Sequence, residues 1–157
     1  MAQKRILVVY HSQEKGNTRR MAELVAEGCR QAGGVSVETV NVNERRVDID
    51  EAEKADAYAL GSPDYFSYMA GGLKQFFDDI MLASWHGRKV LEKPYVAFAT
   101  HGGGGSGIKS VENLAKATKL VQAADSVTCK GAPESDQDKE KSIRLGRSLA
   151  EFLAKRK

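Results

Sequence analysis

The sequence predicts an α/β domain built on an open parallel sheet with helices on both faces, and three observations carry that expectation. Apolar β-branched runs alternate with amphipathic helical patterns five times over; the first run is apolar enough to be buried on both faces; no internal repeat, low-complexity segment or linker breaks the series.

Arg5-Ile6-Leu7-Val8-Val9-Tyr10 is strand one, followed by Met21, Leu24, Val25, Cys29 and Ala32 at helical spacing, until Gly33-Gly34 stop the helix. Val35-Ser36-Val37-Glu38-Thr39-Val40-Asn41-Val42 alternates as strand two does, and the acidic segment 48–54 suits a short helix. Strand three is Asp56-Ala57-Tyr58-Ala59-Leu60-Gly61, and Leu73, Phe76, Phe77 and Ile80 mark the third helix. Pro94 opens strand four over residues 95–100, after which Val111, Leu114, Thr118 and Val121 predict a helix. Ser126-Val127-Thr128-Cys129-Lys130-Gly131 is strand five, and Ile143, Gly146, Leu149, Ala150 and Leu153 give the closing helix.

A chain of 157 residues, 41% hydrophobic and 29% charged, is long enough for one packed core and too short for two, so a single domain over 1–157 is expected. Met1-Ala2-Gln3-Lys4-Arg5 runs into strand one without a leader-like apolar stretch, and no apolar run approaches the length of a bilayer. A soluble, cytoplasmic protein with no membrane insertion is the expectation. Cys29 and Cys129 form no CxxC and do not cluster with the three histidines, which favours buried thiols over a disulfide or a metal site. The 24 Lys and Arg exceed the 21 Asp and Glu by three and are scattered apart from a Lys155-Arg156-Lys157 tail, too weak a bias for a nucleic-acid partner.

In open α/β sheets, ligands sit beyond the carboxyl ends of the strands, where strand order reverses. After strand one, Tyr10-His11-Ser12-Gln13-Glu14-Lys15-Gly16-Asn17-Thr18 turns directly into a helix. Free backbone N–H groups and the helix dipole meet the short donors of Ser12, Asn17 and Thr18 there, which makes an anion pocket; the same residue types also serve as ordinary turn and cap residues. A P-loop is excluded because no GK[ST] follows.

Tyr10-x-Ser12 followed by Gly16-Asn17-Thr18 resembles the FMN-phosphate loop of flavodoxins, with one extra residue between Ser and Gly. The stretch Gly61-Ser62-Pro63-Asp64-Tyr65-Phe66-Ser67-Tyr68-Met69-Ala70-Gly71-Gly72 resembles the flavin-ring loop of the flavodoxin-like NAD(P)H:quinone oxidoreductases of the tryptophan-repressor-binding-protein type. Trp85, Gly87, Lys93 and Thr100-His101-Gly102-Gly103-Gly104-Gly105-Ser106-Gly107 fall at spacings similar to that family's tryptophan, lysine and third FMN loop. The resemblance implies a flavodoxin-like three-layer α/β/α sandwich with a five-stranded parallel sheet in the order 2-1-3-4-5. It also implies FMN as cofactor, held by Ser12, Lys15, Gly16, Asn17 and Thr18, by Ser62, Pro63, Asp64, Tyr65, Phe66 and Met69, and by Thr100, His101, Gly102, Gly103 and Gly104.

A flavin ring needs apolar walls and backbone donors; Pro63, Tyr65, Phe66 and Met69 supply the first, although Phe66 and Met69 equally suit a hydrophobic core. The glycine run lets the backbone approach the ring edge. Its GxGxxG pattern follows strand four instead of strand one, which argues against a dinucleotide fingerprint, and the ends of strands one and three lack the carboxylates of a response regulator. His101 is a candidate proton donor or a solvated loop histidine, and Asp64 a ring neighbour or a turn cap. Tyr68, Trp85 and His86 suit a pocket wall from the same or a neighbouring subunit of a homo-oligomer, or plain surface.

Two functions remain open. One is an enzyme in which NADH or NADPH reduces the flavin and a quinone or similar small-molecule acceptor reoxidises it. The other is an electron carrier serving a redox partner protein. Carrier flavodoxins are typically strongly acidic and cover the outer flavin face with a third-loop aromatic; the net charge of +3 and the His-Gly loop lean toward the enzyme.

Overall fold

The computed structural model describes residues 3–156; Met1, Ala2 and Lys157, which belong to the chain start and basic tail read above, lie outside the described residues. Along the chain run β1 (Lys4–Tyr10), α1 (Asn17–Ala32), β2 (Val35–Asn41), α2 (Ile49–Lys54), β3 (Ala57–Tyr65) and β4 (Tyr68–Met69). Then follow α3 (Gly71–Trp85), β5 (Pro94–His101), α4 (Ile108–Ala117), β6 (Val121–Gln122), β7 (Val127–Lys130) and α5 (Asp136–Lys155).

β1 pairs in parallel with β2 and β3, and β3 with β5, which carries both β6 and β7 on its far side. The order is therefore the expected 2-1-3-4-5, with the fifth strand broken into two pieces that pair with the start and the end of β5. The alternating side chains of β1 feed two cores. Leu7 and Val9 pack with Leu73, Phe76 and Ile80 of α3 and Val111 of α4, while Ile6 and Val8 pack with Met21 and Val25 of α1 and Leu145 and Leu149 of α5. Burying such a side chain stabilises the fold by roughly 1.5–3 kcal/mol.

On the α1 and α5 side the two helices cross with almost nothing between them. A Cβ on Gly28 would lie 1.9 Å from the Ile143 carbonyl oxygen, and one on Gly146 1.9 Å from that of Val25. On the other face, α2 starts at a capping box formed by Asp48 and Glu51. It ends on a half-buried cation: Lys93 Nζ donates to the carbonyls of Ala52 (2.7 Å), Glu53 (3.0 Å) and Ala55, at the negative pole of the helix.

Two elements differ from the sequence expectation. The third strand does not stop at Gly61 but runs to Tyr65 and folds back as β4, with Phe66 and Ser67 taking positive φ of 59° and 60° at the turn. The helix expected through Val121 ends at Ala117: Thr118 Oγ1 donates to the carbonyls of Leu114 and Ala115, Lys119 turns left-handed (φ 59°), and Val121 starts β6.

Candidate cofactor site

The turn after β1 leaves the start of α1 open. Gly16 sits at the N-cap in the left-handed region (φ 69°) and, as a glycine, brings no side-chain cap of its own. First-turn N–H groups have no acceptor within a helix. Ser12 Oγ takes one of them, the Arg19 N–H, at 3.1 Å; Asn17 and Thr18 line the cleft beside exposed Lys15. Thr18 and Thr100 are both buried and share a hydroxyl hydrogen bond of 2.8 Å, which ties the first loop to the end of β5. Arg19 also lines the cleft, but its guanidinium is engaged by Glu44 at 2.6 Å, a bond that raises its pKa.

The second loop is the β3–β4 hairpin. Ser62 Oγ accepts the Ala70 N–H at 2.8 Å and donates to the Pro63 carbonyl at 2.7 Å, fixing the approach to α3. Asp64 accepts the Gly107 N–H at 2.9 Å and so fastens the third loop to the second. Tyr65 reaches across the cleft mouth and donates its hydroxyl to Gln13 Oε1 at 2.6 Å. Behind it, His11 accepts the Gly72 N–H at Nδ1 (3.2 Å), capping α3 from another segment, and burial lowers its pKa. In the third loop, Gly105 folds over His101, where a Cβ would come within 3.0 Å of the imidazole.

These loops enclose one cleft of about 1400 Å³ along the carboxyl ends of the strands. It brings together Ser12, Lys15, Gly16, Asn17 and Thr18 with Pro63, Asp64 and Tyr65 and with Thr100, His101 and Gly102. Ser62, Phe66, Met69, Gly103 and Gly104 do not line it. Ser62 turns inward to its two backbone partners; Met69, 4% exposed, belongs to the α3 core; Phe66 stands at the hairpin tip wholly in solvent; Gly103 and Gly104 are exposed on the outer part of their loop. Tyr68, Trp85 and His86 are exposed outside the cleft.

Residues that the sequence reading passed over also line it: Gln13, Glu14 and Arg19 near the first loop, Asn43 and Glu44 after β2, and Lys130 and Gly131 at the end of β7. The rule that ligands gather at strand carboxyl ends points to the last two pairs as well. Among the described residues no group of three or more His, Cys, Asp or Glu is placed to hold a metal ion, and no helix is long and apolar enough to cross a membrane.

Residues 46–129 match the family described as NADPH-dependent FMN reductase. A flavodoxin of Aquifex aeolicus is 35% identical, the match covering 96% of this chain and 87% of that protein. The chain belongs to the flavodoxin-like FMN proteins. An NAD(P)H dehydrogenase (quinone) of Archaeoglobus fulgidus is 27% identical to this flavodoxin-like chain over 96% of its length and 98% of the relative's. Among solved structures, a flavodoxin from the domain Archaea has a TM-score of 0.83 at 26% identity, covering 96% of this chain and 99% of that one.

This flavodoxin-like protein is an FMN-binding redox flavoprotein, and its own geometry fits the cofactor. The start of α1, where Ser12 Oγ takes only the Arg19 N–H, is the kind of helix terminus that receives a phosphate. His101, which lines the cleft, has a buried Nδ1 with no protein partner. FMN supplies the electron chemistry when bound; the residues that would hold it are those that line the cleft at the start of α1, in the β3–β4 hairpin and at the end of β5.

Proposed function

We propose that the protein is an FMN-dependent NAD(P)H oxidoreductase that passes electrons to a quinone or a similar planar acceptor. The observation that carries this reading is the third side of the cleft, which leaves a second planar molecule access to the flavin. In the third loop Gly102 lines the cleft, and a Cβ there meets nothing within 4 Å, so no side chain closes that side. His101 and Lys130, paired in register across β5 and β7, line the cleft beside it.

In this reading residues 12–18 hold the FMN phosphate, Pro63, Asp64 and Tyr65 flank the ring, and Thr100, His101 and Gly102 line the third side without covering it. NADH or NADPH is the donor, in line with the names of the NADPH-dependent FMN reductase family and of the NAD(P)H dehydrogenase (quinone) relative.

The flavodoxin relative supports a second reading, an electron carrier without a small-molecule substrate of its own. One experiment separates the two. The apoprotein is reconstituted with FMN, and anaerobic bleaching near ~450 nm is followed after NADH or NADPH is added. Rapid bleaching, with reoxidation by a quinone, supports the oxidoreductase. Failure with both nucleotides, together with reduction by a protein reductase, overturns it in favour of the carrier.

A further inference from the structure

Residues 12–16 leave β1 and enter α1 with little support of their own. Within the turn, Gly16 N–H donates to the Gln13 carbonyl at 2.9 Å, while Gln13, Glu14 and Lys15 are exposed. The hold on Ser12 comes from the end of β2, 29 residues away. Asn41 is 7% exposed, and its side-chain oxygen accepts the N–H of Ser12 at 3.0 Å and that of Asn43 at 3.1 Å. Its side-chain nitrogen donates to the Ser12 carbonyl at 3.0 Å and reaches the Glu44 carboxylate at 3.4 Å. Asn43 Nδ2 adds a second donor to the same Ser12 carbonyl, at 3.2 Å.

The β1–β2 backbone ladder ends at the pair Tyr10 and Asn41. Past it, the Asn41 amide takes over as one further rung, bonding both polar groups of a single backbone residue. A primary amide suits this because it carries a donor and an acceptor on one carbon; an alanine offers neither. Ser12 then passes the constraint on, its Oγ accepting the N–H of Arg19 in the first turn of α1. A continuous hydrogen-bonded path runs from β2 through Asn41 and Ser12 to the helix end that opens on the cleft.

We propose that Asn41 is a positioning residue which, by gripping Ser12 on both sides, sets the shape of the phosphate loop and thereby the preference for FMN over riboflavin. This rests on the assignment of residues 12–18 to the FMN phosphate. Asn41 does not itself line the cleft, so it acts through Ser12.

The test titrates the apoprotein with FMN and with riboflavin, following flavin fluorescence, for wild type, Asn41→Ala, Asn41→Ser and Asn43→Ala; thermal melts of each apoprotein and the ³¹P resonance of bound FMN are recorded alongside. Asn41→Ala is expected to weaken FMN on the order of 10- to 100-fold while riboflavin changes by less than about threefold, and to move the ³¹P resonance. Asn41→Ser, which keeps one hydroxyl, restores part of the loss, and Asn43→Ala shows a smaller loss with the same selectivity. A wild type that binds both flavins equally overturns the phosphate-loop assignment and the proposal with it. A wild type that prefers FMN, with variants that weaken both flavins by one common factor in step with a lower Tm, overturns the proposal alone. If Asn41→Ala does not fold, the flavin ratios of Asn41→Ser and Asn43→Ala decide by the same criterion.

Discussion

Replacing Gly146 by Ala is the sharpest test of how the helix layer carries the site. The added Cβ would lie 1.9 Å from the Val25 carbonyl oxygen and 2.9 Å from the Cys29 nitrogen, and both neighbours are rigid helix backbone. Carbon and carbonyl oxygen need roughly 3.2 Å or more, so α1 and α5 must part by at least about 1 Å. A gap of that size forfeits about a quarter to a half of each dispersion contact along the crossing, where Val25, Cys29, Leu145 and Leu149 interlock. Overpacking of this kind costs about 1–3 kcal/mol and occasionally more, while alanine regains about 1 kcal/mol of helix propensity. With two helices displaced, the cost falls in the upper part of that range and the net loss should be about 1–2 kcal/mol, a Tm lower by roughly 2–8 °C for a chain of this size. Far-UV circular dichroism melts and urea titrations measure it. Because α1 carries the phosphate loop at its N-terminus, FMN should weaken as well. A Tm within about 2 °C of wild type would refute the close crossing.

Other perturbations address the cleft and its supports. Gly102→Trp should retain FMN and lower NAD(P)H:quinone turnover on the order of tenfold or more, with Gly102→Ala as the neutral control, since φ there lies outside the left-handed region and a Cβ meets open space; turnover equal to wild type would sink the open-side reading. Thr18→Ala, which removes the hydroxyl bonded to Thr100 at 2.8 Å, should weaken FMN roughly five- to twentyfold and leave riboflavin nearly unchanged by titration; equal losses argue against a phosphate role. Lys93→Met should cost about 2–4 kcal/mol in urea unfolding by leaving the carbonyls of Ala52, Glu53 and Ala55 without their donor, and a loss under about 0.5 kcal/mol would contradict it. His11 is held below its ordinary pKa of 6.5 by burial, and its Nδ1 must stay unprotonated to accept the Gly72 N–H. As pH falls below 6.5 the unfolded chain takes up the proton first, so this stability is present above 6.5 and lost as pH drops through the folded value. Urea midpoints measured across that range should fall more steeply in wild type than in His11→Gln; parallel slopes would exclude the effect.

The architecture was legible because hydrophobic period and glycine punctuation report directly on burial: the run Ile6 to Tyr10 is buried on both faces, and residues 48–54 form a capped helix as their acids suggest. What escaped depended on partners distant in sequence. Residues 62–65 read as a loop because Ser, Pro and Asp are turn formers, yet pairing with β5 and β4 extends the strand, and its turn uses Phe66 and Ser67, not the Asn-Gly that announces a hairpin. Val121 fitted a helical period, but a hydroxyl cap at Thr118 and a left-handed Lys119 end the helix before it. Asn41 looked like one polar position of an alternating strand; its reach to Ser12 exists only once β1 and β2 pair. Met69 and Phe66 share an apolar character that cannot distinguish a buried position from a hairpin tip.

The break in the fifth strand bears on self-association. A sheet margin with a long row of unpaired N–H and C=O groups is a template for another chain's strand. Here that margin consists of two residues in β6 and four in β7, offset by the detour through residues 123–126. Lys130 occupies an exposed position at the cleft end of the longer piece. An incoming strand would find a ladder too short to zip and a charge where it would seat, so the interruption guards this margin against edge-to-edge aggregation.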